Sequence, residues 1–443
     1  MTSTIFALAT PAGRSGVAII RISGPQAGQA LRLVTRAELP APRVASLRKF
    51  YAVEATILSA IDDGLALWFP APASFTGEDV AELQIHGGPA VIAAMLQALS
   101  DAGLSAAGPG DFTRRAFHNG KLDLTEVEGL ADLIAAETEA QRRQALRQME
   151  GEFGRRVEGW RQALLAALAR IEAAIDFPEE DLPEGLAQSV DEAMRLVADE
   201  IARQLDDQHR GERLREGLSA VILGAPNAGK SSLLNRLARR DAAIVSAEAG
   251  TTRDVIELQL DLGGYPVVLA DTAGLRESGN AIETEGVRRA LARAARADLK
   301  IVVLDGAVWP EIPAASRAMI DDAAILVLNK ADLKNAGPFL VEERAAIPVS
   351  TLTGAGLSEL LSALQERCSQ LLASGDQPAL TRLRHREALQ DCLQFLARGL
   401  DAEAAELKAE DLRLAGRALG RITGRFDVED VLDLVFREFC IGK

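Results

Sequence analysis

The sequence predicts a multidomain protein of mixed α/β and α+β class. An α+β N-terminal domain is followed by a discontinuous helical domain, with an α/β domain inserted between its two parts. Three observations predict this. Residues up to about 118 mix short β-rich runs with Gly and Pro turns. Two later stretches carry apolar residues in steps of three and four. Between those stretches, buried-type apolar runs alternate with helical segments. The boundaries read as 1–118 for the N-terminal domain, 119–215 and 369–443 for the helical parts, and 216–368 for the insertion. A chain of 443 residues gives each domain enough length for its own core.

In the N-terminal part, Val17-Ala18-Ile19-Ile20-Arg21-Ile22 and Leu65-Ala66-Leu67-Trp68-Phe69 read as strands, and residues 90–99 as a helix. From about residue 122 the period becomes helical. Val157, Trp160, Leu164, Leu168, Ile171 and Ile175 form one face, and Pro178 and Pro183 break the run. Val190, Met194, Val197, Ile201 and Leu205 then form a second face. A third helical block fills 378–440, with Leu383, Leu389, Leu393 and Leu396 among its apolar positions. Runs at 218–223, 267–270, 300–304, 324–328 and 345–349 predict the strands of a parallel, doubly wound sheet. Insertion of such a domain is tolerated because domain termini lie close together on the surface.

Composition narrows the function classes. Hydrophobic content of 48% with 26% charged residues fits a soluble globular chain. No run approaches the roughly 18 apolar residues of a membrane span. The start, Met1-Thr2-Ser3-Thr4-Ile5-Phe6, lacks the basic region of a signal peptide, so a cytoplasmic location is expected. Cys368, Cys392 and Cys440 are too few and too scattered for a disulfide framework or a zinc site. A net charge of −15 excludes global attraction to nucleic acid. A local basic site stays open, because screening limits the reach of charge to about 8 Å.

The strand ending at Leu223 runs into Gly224-Ala225-Pro226-Asn227-Ala228-Gly229-Lys230-Ser231, then into a helix from Ser232. Two glycines with four residues between them, then Lys and Ser, make a phosphate-binding loop. The glycines let backbone N–H groups turn inward, Lys230 sets an ammonium against the β- and γ-phosphates, and Ser231 offers a hydroxyl to magnesium. Three motifs follow in order. Gly250-Thr251-Thr252 lies where a Thr senses magnesium and the γ-phosphate. Asp271-Thr272-Ala273-Gly274 brings a carboxylate to the magnesium shell and a Gly amide to the γ-phosphate. Asn329-Lys330-Ala331-Asp332 reads the base, since Asp332 accepts both N–H donors on the guanine edge and adenine has no such pair. Together they predict GTP binding and hydrolysis in a Ras-like P-loop G domain. Leu275 stands where many small GTPases carry a water-orienting Gln. Glu283 is therefore the candidate catalytic residue, an ordinary acid near a helix start being the alternative.

With these motifs the chain resembles the MnmE (TrmE) family of tRNA-modification GTPases over nearly its whole length. The resemblance rests further on Ala9-Thr10-Pro11-Ala12-Gly13, Ile20-Arg21-Ile22-Ser23-Gly24 and Phe75-Thr76-Gly77-Glu78-Asp79. It also rests on Arg115-Ala116-Phe117, Asn119-Gly120-Lys121-Leu122-Asp123-Leu124 and the terminal Phe439-Cys440-Ile441-Gly442-Lys443. It implies an N-terminal domain that mediates homodimerisation and binds 5-formyl- or methylene-tetrahydrofolate through Arg21, Glu82 and Lys121, with Lys443 nearby. It implies a nucleotide site lined by Asn227, Ala228, Gly229, Lys230, Ser231 and Ser232 and by Ser246, Ala247, Glu248, Ala249, Gly250, Thr251 and Thr252. Asp271, Thr272, Ala273, Gly274, Asn329, Lys330, Ala331, Asp332 and Ser350 complete it. Ser231 and Thr252 would hold magnesium. Asn227, Ser246, Glu248 and Thr251 would hold potassium, which replaces an arginine finger, and Glu283 falls at the family's water-orienting acid. The resemblance implies a FAD-containing partner of the MnmG type, joined in a heterotetramer. With it, an aminomethyl or carboxymethylaminomethyl group is added to carbon 5 of the tRNA wobble uridine. Thr351, Asp111 and His118 depart from the family pattern.

Two further signals have bland readings. Cys440, among Phe436, Phe439 and Ile441, is expected to pack rather than react. Arg413, Arg417, Arg421 and Arg425 share one helix face. The expectation is a solvated face paired with acids, and contact with tRNA phosphate is the alternative. A ribosome-assembly GTPase and a non-catalytic GTP switch are the rival functions.

Overall fold

The computed structural model describes residues 3–53, 59–176, 186–239, 257–271, 297–334, 338–372 and 378–426, and positions 432, 435, 436, 439 and 442. The chain divides into two compact units. Met1–Ala131, Gln148–Val197 and Gln394–Lys443 form one, and Asp132–Arg147 with Ala198–Leu393 the other. Residues of the expected helical domain fall in both.

The first unit opens with β1 (Ile5–Leu8), β2 (Ser15–Ser23), α1 (Ala27–Thr35), β3 (Ser46–Tyr51), β4 (Ala60–Phe69), β5 (Val80–Gly87), α2 (Pro89–Asp101), β6 (Ser105–Ala106) and α3 (Asp111–His118). The sheet order is β3-β4-β5-β2-β1-β6, and only β1 and β6 run parallel. Alternation along the strands decides which side chains are free for function. Ala18, Ile20 and Ile22 of β2 and Ala81, Leu83 and Ile85 of β5 are buried with Leu31, Val34, Met95 and Leu99 of the two helices. The intervening Arg21 and Glu82 therefore occupy the other face, and the register sets them directly opposite each other.

The helices outside the two sheets follow their predicted faces. On α4 (Leu124–Ala135), Leu124 and Val127 are buried with Phe436 and Phe439 from the C-terminal segment. After α5 (Glu139–Met149) comes α6 (Glu152–Asp176), which buries Val157, Trp160, Leu164, Leu168 and Ile171. It packs along the helix Ala405–Thr423. Arg413 pairs with Glu172 at 2.7 Å and Arg425 with Glu158 at 3.4 Å, so these two stripe arginines face acids of α6. On α7 (Leu186–Leu205), Val190, Met194, Val197 and Ile201 are buried. Leu383 departs from expectation, being 62% exposed. The buried face of helix Leu383–Asp401 runs through Ala388, Leu389, Cys392 and Leu396, and the helical period places position 383 away from it.

The second unit holds α8 (Arg210–Glu216), β7 (Leu218–Leu223), α9 (Lys230–Ala238), β8 (Glu257–Leu262), β9 (Tyr265–Asp271), β10 (Leu299–Asp305), β11 (Ala324–Asn329), β12 (Leu340–Val341), β13 (Arg344–Ala345) and β14 (Ile347–Pro348). The sheet order is β14-β11-β10-β7-β9-β8. The sheet is mixed rather than wholly parallel, because β8 runs antiparallel to β9 across the Gly263-Gly264 turn, where φ is +66° and +91°. Residues 345–349 do not form one strand. Ala345 belongs to a hairpin with β12, and only Ile347 and Pro348 join the sheet, beside β11. Proline has no N–H to donate, so this segment ends the sheet as a short edge.

A buried ion cluster ties α8 to the following helices. Arg386, 6% exposed, donates to Asp207 at 2.7 Å, to Glu212 at 3.2 Å and to the Leu205 carbonyl at 2.9 Å. Arg386→Met removes the guanidinium these acceptors share, leaving Asp207 the His209 N–H and Glu212 the His209 ring, and is expected to cost about 3 kcal/mol in urea unfolding. A loss below about 1 kcal/mol would show that water already screens the cluster. Cys368 and Cys392 are fully buried, and burial pushes each thiol up to about 12, which leaves them inert at neutral pH. Cys440 lies outside the described residues. No described helix is long and apolar enough to cross a membrane.

Candidate functional site

The loop between β7 and α9 has the geometry of an anion cradle. Gly229 takes φ +93° and precedes α9 as an N-cap without a side chain, at the end of a helix where the dipole favours an anion. A Cβ at Gly229 would lie 2.0 Å from Asn329 Nδ2, so no larger residue fits here without displacing a neighbour. Lys230 folds back, and its ammonium donates to the carbonyls of Gly224 and Ala225, each at 3.0 Å. Positive charge thus stands at the loop beside the helix N-terminus. Ser231 and Ser232 follow, exposed, in the first turn of α9. Asn227, also exposed, takes φ +63°.

A second cluster joins this loop from the ends of β10 and β11. Asn329 is 1% exposed, donates to the Ala228 carbonyl at 2.8 Å and accepts from the Thr351 N–H at 3.2 Å. One side chain thereby fixes the phosphate loop and the loop after β14 together. Asp332 accepts the Ser350 hydroxyl at 2.5 Å, and Ala331 donates to the Val349 carbonyl at 3.1 Å. Lys330, at φ +60°, pairs with Asp305 at 2.7 Å. Burial raises the Asp305 pKa, but the hydrogen bonds from Lys330 and the Ala307 N–H outweigh it and hold the carboxyl below its usual range. Asp305 escaped the sequence reading. Its only signal was an acid at the C-terminal end of a buried strand.

The structure therefore gathers Asn227, Ala228, Gly229, Lys230, Ser231 and Ser232 with Asn329, Lys330, Ala331, Asp332 and Ser350. Asp271 ends β9 opposite Ile222 of β7, which brings its backbone to the same edge. Ser246, Ala247, Glu248, Ala249, Gly250, Thr251, Thr252, Thr272, Ala273, Gly274, Glu283 and Lys443 lie outside the described residues. The described set is hydroxyl, ammonium and backbone N–H at one end and a carboxylate at the other. That donor set fits the phosphates and magnesium of a nucleotide and the edge of its base.

The N-terminal domain carries a separate cavity of about 500 Å³, lined by Glu82, Lys121, Arg43, Phe69, Phe75 and Ser74 among others. Arg21 pairs with Glu82 at 2.9 Å and lies 5.5 Å from the Phe75 ring centroid and 5.9 Å from that of Phe112. It also donates to the Gly442 carbonyl at 3.4 Å, which brings the end of the chain to this face. The sequence motifs around the cavity are its frame. Arg115 bonds Glu78 at 2.7 Å and the Ser3 and Ser23 carbonyls, while Asn119 donates to the Thr76 carbonyl at 2.7 Å. Two aromatic rings, two cations and a carboxylate suit a flat ligand with donor–acceptor edges and an anionic tail. Arg43 was not anticipated, because it reaches the cavity from a loop without a distinctive motif.

Comparisons with known proteins match both the N-terminal and the later part of the chain. A family model described as the MnmE helical domain matches residues 124–440, and one for the GTP-binding protein TrmE N-terminus matches residues 4–121. A tRNA modification GTPase MnmE of Parvibaculum lavamentivorans is 58% identical over 445 residues, covering 99% of this chain and 100% of that protein. Its counterpart in Paramagnetospirillum magneticum is 54% identical, with full coverage of both chains. Among solved structures, the G domain of the T. maritima FeoB iron transporter aligns at 26% identity over 35% of this chain and 98% of its own. Its TM-score of 0.26 carries no weight for the fold.

Proposed function

The chain belongs to the MnmE family of tRNA-modification GTPases, and from that premise we propose a potassium-dependent GTP hydrolase acting on the tRNA wobble uridine. The observation that supports its nucleotide part is Asn329, whose buried amide bonds the Ala228 carbonyl of the phosphate cradle and the Thr351 N–H of the loop that carries Ser350. In this reading the G domain is inserted into a helical domain formed by 119–215 and 369–443, with an N-terminal domain at 1–118. Lys230 and the N-terminal amides of α9 bind the β- and γ-phosphates, and Asp332 reads guanine. Ser231 and Thr252 would hold magnesium, which would supply charge neutralisation at the phosphates. Asn227, Ser246, Glu248 and Thr251 would hold potassium, which would supply positive charge in place of an arginine finger. Glu283 orients the attacking water, whose oxygen takes the γ-phosphoryl group as the bond to GDP breaks.

GTP hydrolysis then drives a cycle of homodimeric G domains, while a one-carbon unit on tetrahydrofolate and a FAD-containing MnmG-type partner carry the chemistry at carbon 5. These components imply a cytoplasmic protein. The test is hydrolysis in potassium against sodium buffer, with Glu283→Ala alongside. Potassium is expected to stimulate by about 10-fold or more, and the variant to lose about 100-fold in kcat. Equal rates in both salts with an unaffected variant would reduce the chain to a generic GTP-binding protein.

The N-terminal cavity supports the folate assignment. Glu82 and Lys121 line it and Arg21 pairs with Glu82, which offers a carboxylate for a pterin edge and cations for a glutamate tail, and in this reading Lys443 joins them. Lys121→Ala and Glu82→Gln are each expected to weaken 5-formyltetrahydrofolate by about 10-fold or more in calorimetry. Wild-type affinity in both variants would move the folate elsewhere.

A further inference from the structure

We propose that Arg236 is a positioning residue for guanine recognition. It ties the phosphate-loop helix to the loop backing the base, and so sets how long a guanine nucleotide stays bound. The proposal rests on the guanine reading of Asp332 and Ser350. Its starting point is the weak anchoring of the segment after Ser350. Leu352 is 77% exposed, Thr353 and Ala355 are exposed, and apolar burial resumes only at Leu357. Side-chain packing therefore does not hold this loop, and its hydrogen bonds must.

Those bonds come in two groups. Within the loop, the Thr353 N–H donates to the Ser350 hydroxyl at 3.2 Å, the Gly354 N–H to the Ser350 carbonyl at 2.8 Å, and the Ser350 N–H to the Ala355 carbonyl at 2.9 Å. These close the turn on itself without attaching it to the domain. Attachment comes from outside. Asn329 accepts the Thr351 N–H, and Arg236 donates from Nε to the Thr351 carbonyl at 2.9 Å and from Nη2 to the Leu352 carbonyl at 2.7 Å. The fork of the guanidinium matches two successive carbonyls, which one lysine ammonium cannot match with the same geometry.

Arg236 acts from a rigid support. Its helix buries Leu233, Leu234 and Leu237 in the core of the sheet, so the half-buried side chain is held at its base and reaches out from the flank of that face. The loop it holds carries Ser350, whose hydroxyl meets Asp332. Release of Thr351 and Leu352 loosens this wall of the base site and leaves the Lys230 cradle, six positions earlier on the chain, in place. Arg236 thus bears on the base end of the nucleotide and not on its phosphates.

The experiment follows release of a fluorescent GDP from full-length protein by stopped flow, for wild type, Arg236→Ala and Arg236→Lys. Tripolyphosphate with magnesium is titrated alongside. Dissociation of GDP is expected to rise about 10-fold in Arg236→Ala and by a smaller factor in Arg236→Lys. The KM for GTP should rise in step, with kcat at saturation and tripolyphosphate affinity held within about twofold. Unchanged GDP release in Arg236→Ala overturns the proposal. So does a parallel loss of tripolyphosphate binding, which would place the defect in the phosphate cradle. Wild-type protein that holds ADP as tightly as GDP would instead refute the guanine reading beneath it.

Discussion

Asp332→Asn is expected to weaken GTP by about 10²–10³-fold and to transfer preference to xanthosine triphosphate. Guanine presents two donors on one edge, N1–H and the exocyclic amine, and a carboxylate accepts both. The Ser350 hydroxyl donates to Asp332 Oδ1, and an asparagine keeps an oxygen for that bond. Its Nδ2 then faces the base edge, where it opposes the guanine amine donor to donor. One charge-assisted bond is lost and a second polar group is left unpaired, together about 3–4 kcal/mol. Xanthine carries a carbonyl in place of the amine, which accepts from Nδ2 and restores the pair. Competition of GTP and XTP for a fluorescent nucleotide reads the switch. GTP affinity within threefold of wild type in the variant would mean that another group reads the base.

The legibility of this site in the sequence follows from how local each part is. Gly229, Lys230 and Ser231 are decided within one strand–loop–helix unit, so spacing alone revealed them. Asp332 was legible because it closes a tetrapeptide at a strand end. Asp305 was not, since it meets Lys330 only through the parallel register that sets Asp305 beside Asn329. Arg43 shares that fate in the N-terminal cavity, where the fold and not a motif brings it to Glu82. Among fold elements, β8 alternates as a half-buried edge and gave no continuous apolar run. The 345–349 run gave one, yet Pro348 limits it to a short edge. The arginine stripe was visible as a pattern, and Glu410 answers Arg413 within one helical turn, but its other partner, Glu172, lies 241 residues away, beyond any periodicity argument.

Gly229→Ala is expected to abolish tight nucleotide binding, by about 100-fold or more. Two effects act at this position. The φ of +93° strains an alanine by about 1–2 kcal/mol. The larger effect is steric, because the new Cβ would stand 2.0 Å from Asn329 Nδ2. Asn329 cannot retreat freely. It is buried, bonded to the Ala228 carbonyl on one side and to the Thr351 N–H on the other, so relief of the clash moves the phosphate loop, the base-side loop or both. A double-mutant cycle separates the two effects. In an Asn329→Ala background the clash is gone, and the further cost of Gly229→Ala should shrink to the backbone strain alone. Affinity for fluorescent GDP in the four proteins gives the coupling. Equal costs in both backgrounds would deny the contact its role. A coupling of about 1–2 kcal/mol would establish that the two ends of the nucleotide site are held in register by one asparagine packed against a missing side chain.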